Sequence, residues 1–206
     1  MRPFSVLCIV SLMVAFAASV HATPIDYISA TTVPTSFTPT GGDFGLGVLS
    51  LSGTRPLILH YANSQEVLDG SQFLLTAYLK EDNSTPVGEA RGLFEGGVLR
   101  LLNSSGNELL VGEAHSVLVG EFLNDRGMFT TSGTFTVTGG LLMQDFGRNG
   151  QVFELMFNVQ PITVSDFKSG FSGLSDLSLT AMVPEPITLG ILGIGLAGLV
   201  ARRRRS

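Results

Sequence analysis

Val183-Pro184-Glu185-Pro186 is the stretch of this 206-residue chain whose residue types, spacing and surroundings point most directly to a specific task. Two prolines flanking a glutamate cannot join a helix or a central strand, so the motif stays extended and accessible. An uncharged apolar run, Ile187 to Ala201, follows it, and then Arg202, Arg203, Arg204 and Arg205. The run prefers hydrocarbon to water. Four guanidinium groups hold the end of the chain on the cytoplasmic side of a membrane. As a helix the run reaches only about 22 Å, against a hydrocarbon core of about 30 Å. That suits a transient anchor better than a permanent one. Gly190, Gly193, Gly195 and Gly198 thin the segment, and Gly193 with Ala197 forms a small-xxx-small pair. On these residues alone, the triplet is either a recognition site or a linker before a plain anchor.

Other candidate chemistry is sparse. No Gly-x-Ser-x-Gly elbow and no His-Glu-x-x-His pair occurs. His60 and His115 fall on different predicted strands without local ligand spacing, and read as structural or surface residues. Glu89 with Glu95, or Glu108 with Glu113, could be cast as a glycosidase pair, but acidic β-proteins supply such pairs as solvated faces. Asp43 and Asp125 are weak calcium candidates, since the full calcium-loop pattern is missing. No metal or other cofactor is expected. With no tryptophan and only Tyr27, Tyr61 and Tyr78, a stacking-type sugar site is disfavoured, although a hydrogen-bonding one stays open.

The order Pro-Glu-Pro, apolar segment, arginine cluster resembles the PEP-CTERM sorting signal of Gram-negative bacteria, over roughly the last tenth of the chain. The resemblance implies an exosortase-like membrane enzyme as partner, which cleaves near Val183, Pro184, Glu185 and Pro186 and passes the protein to the cell exterior. It also implies a link to exopolysaccharide and biofilm.

The front end agrees with export. Arg2 precedes an apolar stretch, Val6 to Val20, and Val20-His21-Ala22 fits a signal-peptide exit with the cut between Ala22 and Thr23. That makes the Sec machinery a second partner. Removing Arg2 and Arg202 to Arg205 from 12 basic and 17 acidic side chains leaves 7 against 17, a net of −10 between Thr23 and Pro186. Such a domain is not expected to bind nucleic acid, whose phosphates require positive charge. Its one cysteine, Cys8, lies in the signal segment, so stability must come from a core rather than disulfides.

Period-2 alternation dominates between the two ends. In Phe129 to Thr138, Phe129, Phe135 and Val137 share one face, and Thr130, Ser132, Thr134, Thr136 and Thr138 the other. Gln151 to Val159, Phe73 to Lys80 and Asp176 to Val183 alternate likewise. Further strands are predicted at 47–51, 57–60, 87–94, 98–102 and across 109–123. Gly96-Gly97 reads as a two-residue hairpin turn, and Asn103 to Asn107 and Asn124 to Gly127 as turn clusters. Short strands with frequent turns predict an all-β fold, an antiparallel jelly-roll-like β-sandwich ectodomain with a single C-terminal transmembrane helix. The expected organisation is a signal peptide (1–22), an extended N-terminal arm (23–45), the sandwich (46–183) and the sorting signal (184–206, motif 183–186).

The expectation is a non-enzymatic exported protein, an inner-membrane intermediate that ends at the cell surface or in the extracellular matrix. The alternatives are a secreted polysaccharide-binding or polysaccharide-cleaving protein, and an unprocessed tail-anchored protein facing the periplasm.

Overall fold

The structure is a computed structural model that describes residues 24–40, 46–85, 89–121, 128–146, 150–160 and 166–181. Ten strands run in chain order: β1 (Ile25–Pro39), β2 (Gly47–Thr54), β3 (Leu57–Tyr61), β4 (Ser64–Leu68), β5 (Gln72–Asp82), β6 (Arg91–Leu102), β7 (Glu108–Glu121), β8 (Phe129–Gly139), β9 (Val152–Gln160) and β10 (Phe171–Ala181). A short helix, α1 (Met143–Phe146), sits between β8 and β9. Every pairing is antiparallel, in the order β10-β9-β8-β7-β6-β5-β2-β1. β1 also pairs with β10.

That last pairing closes eight strands into a barrel and corrects the expected sandwich. Alternation cannot separate the two, because both bury one face of each strand. What decides is whether the first and last strands meet. Tyr27 pairs with Thr180, and the contact runs to Phe37 opposite Phe171. Within the expected 23–45 arm, residues 25–39 are the closing strand rather than an arm outside the domain. The hairpin β3–β4 is an annex that pairs with the first part of β1, where β2 does not reach.

The barrel keeps its phase through bulges. Phe94 and Leu99 both point inward, five positions apart, which strict alternation forbids. The Gly96-Gly97 step absorbs the difference: Gly97 stands opposite Ala77 and Glu95 opposite Tyr78, so Gly96 has no opposite residue. The pair read as a hairpin turn is therefore a bulge inside one continuous β6. Both glycines have positive φ, and a Cβ on Gly97 would lie 1.9 Å from the Thr76 carbonyl oxygen. The same device lets Ala114 and Val117 both face inward on β7, with the pairing slipping at His115. It recurs between Ala30 and Val33 on β1, around Thr32, whose φ is 54°. A β-branched residue there is strained. Its N–H donates to Asp176 Oδ1 at 3.0 Å and its carbonyl accepts from Arg55 Nε at 3.0 Å.

An eight-stranded barrel is just wide enough for side chains to fill, and phenylalanines fill this one. Phe167, from the turn after β9, meets Phe37, Phe94, Phe129 and Phe171 at one end, with ring centroids 5.2 to 6.2 Å apart. At the other end Phe146 of α1 packs against Phe153, which stacks on Phe135. Few buried side chains are polar. Thr35 and Ser175 satisfy each other across the closing seam at 2.5 Å. Thr131 Oγ1 has no partner among the described residues.

Two stability measurements test this account. Gly97→Ala should cost at least about 3 kcal/mol, through backbone collision added to strain. Gly106→Ala, at φ 82° with open space around it, should cost only about 1–2 kcal/mol. The check is the urea midpoint at unchanged slope, and equal losses would contradict the close approach at Gly97. In the same assay Thr131→Val should stabilise by on the order of 1 kcal/mol, because it removes a buried hydroxyl without a partner.

Candidate functional site

The polarity of the barrel defines where function can reside. Inward positions on β8 are Phe129, Thr131, Gly133, Phe135 and Val137, and the outward ones are the hydroxyl series from Thr130 to Thr138. A barrel lodged in a bilayer has the reverse arrangement, apolar outside and polar within. The filled interior leaves the outer face, the loops and the chain ends to make contacts.

The carboxylate pairs do not converge on that outer face. Glu89 is held by Arg91 at 3.0 Å and Glu95 by Lys80 at 2.5 Å. Glu95 lies four positions beyond Arg91 on β6, about 13 Å at the usual rise, whereas a glycosidase needs its acids within about 5–9.5 Å. Glu108, approached by Arg100 at 3.8 Å, and the exposed Glu113 stand opposite Leu102 and Val98, four positions apart on β6 and about 13 Å by the same measure. Among the described residues no group of three or more His, Cys, Asp or Glu side chains could hold a metal. Asp43 and Asp125 lie outside the described residues.

The histidines are surface groups with hydroxyl partners. His115 Nε2 bonds Thr136 Oγ1. His60 stacks on Tyr27 with centroids 3.9 Å apart, and its Nε2 lies 3.0 Å from Ser29 Oγ. A serine within reach of an imidazole is the first half of a nucleophilic pair. Among the described residues the groups shown against His60 are the Tyr27 ring and Ser29, both on β1, and these cross-strand contacts tie β3 to β1.

Beside it, Tyr61 Oη donates to Glu66 Oε2 at 3.2 Å within the β3–β4 hairpin. Partial burial, that hydrogen bond, and the charges of Glu66 and Asp145 raise the Tyr61 pKa above its ordinary value of 10.0. A raised phenol pKa means the folded state favours the protonated form. The stabilisation is complete below the ordinary value and is lost as pH climbs through the raised one. The difference in 295 nm absorbance between wild type and Tyr61→Phe should therefore titrate above pH 10, and Glu66→Gln should move it back down. A difference curve at or below the ordinary value would refute the contact.

Among the described residues, two depressions on the outer wall stand out. One, of about 540 Å³, lies over β6 to β9, where Gly120 leaves a gap between Arg91 and Thr130 beside the exposed Leu118 and Met156. The other, of about 430 Å³, crosses β2, β5 and β6 beside the Gly96-Gly97 bulge and is flanked by Tyr78 and Arg100. Neither is evident from the sequence without strand register. One signal was available: in Phe73 to Lys80 the inward set is Phe73, Leu75, Ala77 and Leu79, which forces Tyr78 outward.

The start of β1 and the end of β10 lie side by side at one end of the barrel. Tyr27 and Thr180 are paired, and Ala181 pairs with Phe153 at the α1 end. Only Met182 separates Ala181 from Val183 in sequence. Ala22 and Thr23, Val183 to Pro186, the 187–201 run and Arg202 to Arg205 lie outside the described residues. No helix among the described residues is long and apolar enough to cross a membrane.

Residues 183–205 match the family model of the PEP-CTERM protein-sorting motif. The match covers the whole of the expected tail up to Arg205, and it points to export and exosortase-dependent sorting through a membrane-anchored intermediate. No curated protein and no solved structure matches the chain.

Proposed function

We propose that the protein is a non-enzymatic barrel delivered to the cell surface or extracellular matrix, where it contacts exopolysaccharide through its outer wall. The observation that carries this reading is the sorting motif at residues 183–205, placed directly after the last barrel strand. The Val20-His21-Ala22 exit supports entry through the Sec route. An interior filled with phenylalanine and leucine side chains supports a mechanical or adhesive role over that of an internal ligand carrier. The hydroxyl-lined outer wall supports contact with polar polymer, and a net of −10 favours a neutral partner over an acidic one. The trough at Tyr78 lends weight to the polysaccharide-binding alternative as a more specific form of the same role.

Changing Glu185 tests the delivery half. Glu185→Ala should leave the protein inserted in the membrane but unreleased, because the apolar run and the arginines are intact. Intact masses of protein from cells and medium should show a mature N-terminus at Thr23, and a C-terminus near Pro186 in the released wild type alone. Equal release of wild type and Glu185→Ala would restore the plain-anchor reading. Incubation of the purified protein with a polysaccharide panel should liberate no reducing ends. Liberation that vanishes on mutation of one glutamate would replace the non-enzymatic reading with a cleaving one.

A further inference from the structure

The trough across β2, β5 and β6 follows from strand register. Ser50, Thr76 and Val98 stand opposite one another and form a low row of half-buried side chains. On one side is the row Val48, Tyr78 and Glu95, and on the other Ser52, Leu74 and Arg100. This low row, walled by Tyr78 on one side and by Leu74 and Arg100 on the other, makes a channel that crosses the strands, about 430 Å³ in volume. This lies within the range of small-ligand sites. The bulge contributes directly. Gly97 borders the channel, and a Cβ on Gly96 would lie 3.8 Å from Tyr78 Cδ2, so the glycine at 96 leaves that edge of the ring uncovered. Tyr78 is 49% exposed.

The chemistry of the channel is specific in kind. Tyr78 offers an amphipathic ring face. Ser50 and Thr76 offer hydroxyls that donate and accept. Arg100 offers five N–H donors, and its Nε stands 3.8 Å from Glu108 Oε1, too far for a hydrogen bond. Leu74 and Val98 supply apolar surface between these groups. The matching ligand has a flat C–H face and a rim of hydroxyls, is long enough to cross three strands, and carries no charge to be repelled by an acidic domain. We propose that the channel over the glycine bulge binds neutral pyranose units of a polysaccharide, with Tyr78 as the stacking platform and Ser50, Thr76 and Arg100 as hydrogen-bonding partners. The inference rests on the matrix reading only for where such a polymer is met.

The test is affinity electrophoresis of the full-length protein in detergent, through gels containing dextran, galactomannan or alginate. Wild type should be retarded by at least one of the two neutral polymers. Tyr78→Ala should weaken that binding at least about tenfold. Thr76→Arg, which fills the floor with a long side chain and leaves Tyr78 in the sequence, should do the same. Tyr27→Ala, an exposed tyrosine outside the channel, should bind as wild type. No retardation by either neutral polymer, retardation by alginate alone, or undiminished binding by both channel variants would each overturn the site. Undiminished binding by the variants would do so without touching the matrix reading. Channel variants that lose gel binding yet stay with the cell matrix would uphold the site and place matrix retention elsewhere.

Discussion

The barrel depends on one long-range contact, the pairing of β1 with β10. Every other barrel pairing joins strands that are consecutive in the chain, apart from β2 and β5, which flank the β3–β4 excursion. Closure alone brings together residues about 140 positions apart, as in the buried Thr35–Ser175 hydroxyl pair. Such contacts are formed against the largest loop entropy in the chain. What rewards them is the interior. Without β1 the rings of Phe94, Phe167 and Phe171 would lose Phe37, and a free edge would run along β10. In an exported domain with no cysteine after Cys8, that core takes the place disulfides would otherwise hold.

Much of this was legible in the sequence, and the reason is the strictness of alternation. The faces of β8 and β9 and the inward phenylalanines follow directly from period 2, and the all-β class with them. The barrel did not follow, since closure depends on how strands curve and stagger rather than on which residues are apolar. The misread Gly96-Gly97 shows where the information lay. Two glycines between apolar runs signal a hairpin when the runs are independent strands. Here Phe94 and Leu99 have to share one interior, and a phase slip of one residue across a glycine pair is the signature of a bulge. The slips at Ala30/Val33 and Ala114/Val117 say the same. Each bulge bends its strand, and bent strands help a sheet close on itself.

The outer wall was harder to read because it is a property of several strands at once. Ser50, Thr76 and Val98 are unremarkable in sequence and meet only through register. The carboxylates show the converse. Glu89 and Glu95 look like neighbours in sequence, yet extended backbone carries them apart and gives each a separate cation.

The sorting motif and the barrel also constrain each other. β10 is both the closing strand and the last element before the motif, and its final described pairs are Thr180 with Tyr27 and Ala181 with Phe153. The buried residues of β10, Ser175, Leu177 and Leu179, all precede that point. A cut at or after Val183 removes the apolar run and the arginines and leaves every described strand pair intact. A cut a few residues earlier would take Leu179 from the core and loosen the seam on which closure depends. Prolines beside the cut site reinforce the division, because Pro184 and Pro186 have no N–H to extend the β1–β10 ladder. The described strand pairs of the barrel thus end before the motif begins, so a cut there leaves the closing seam whole.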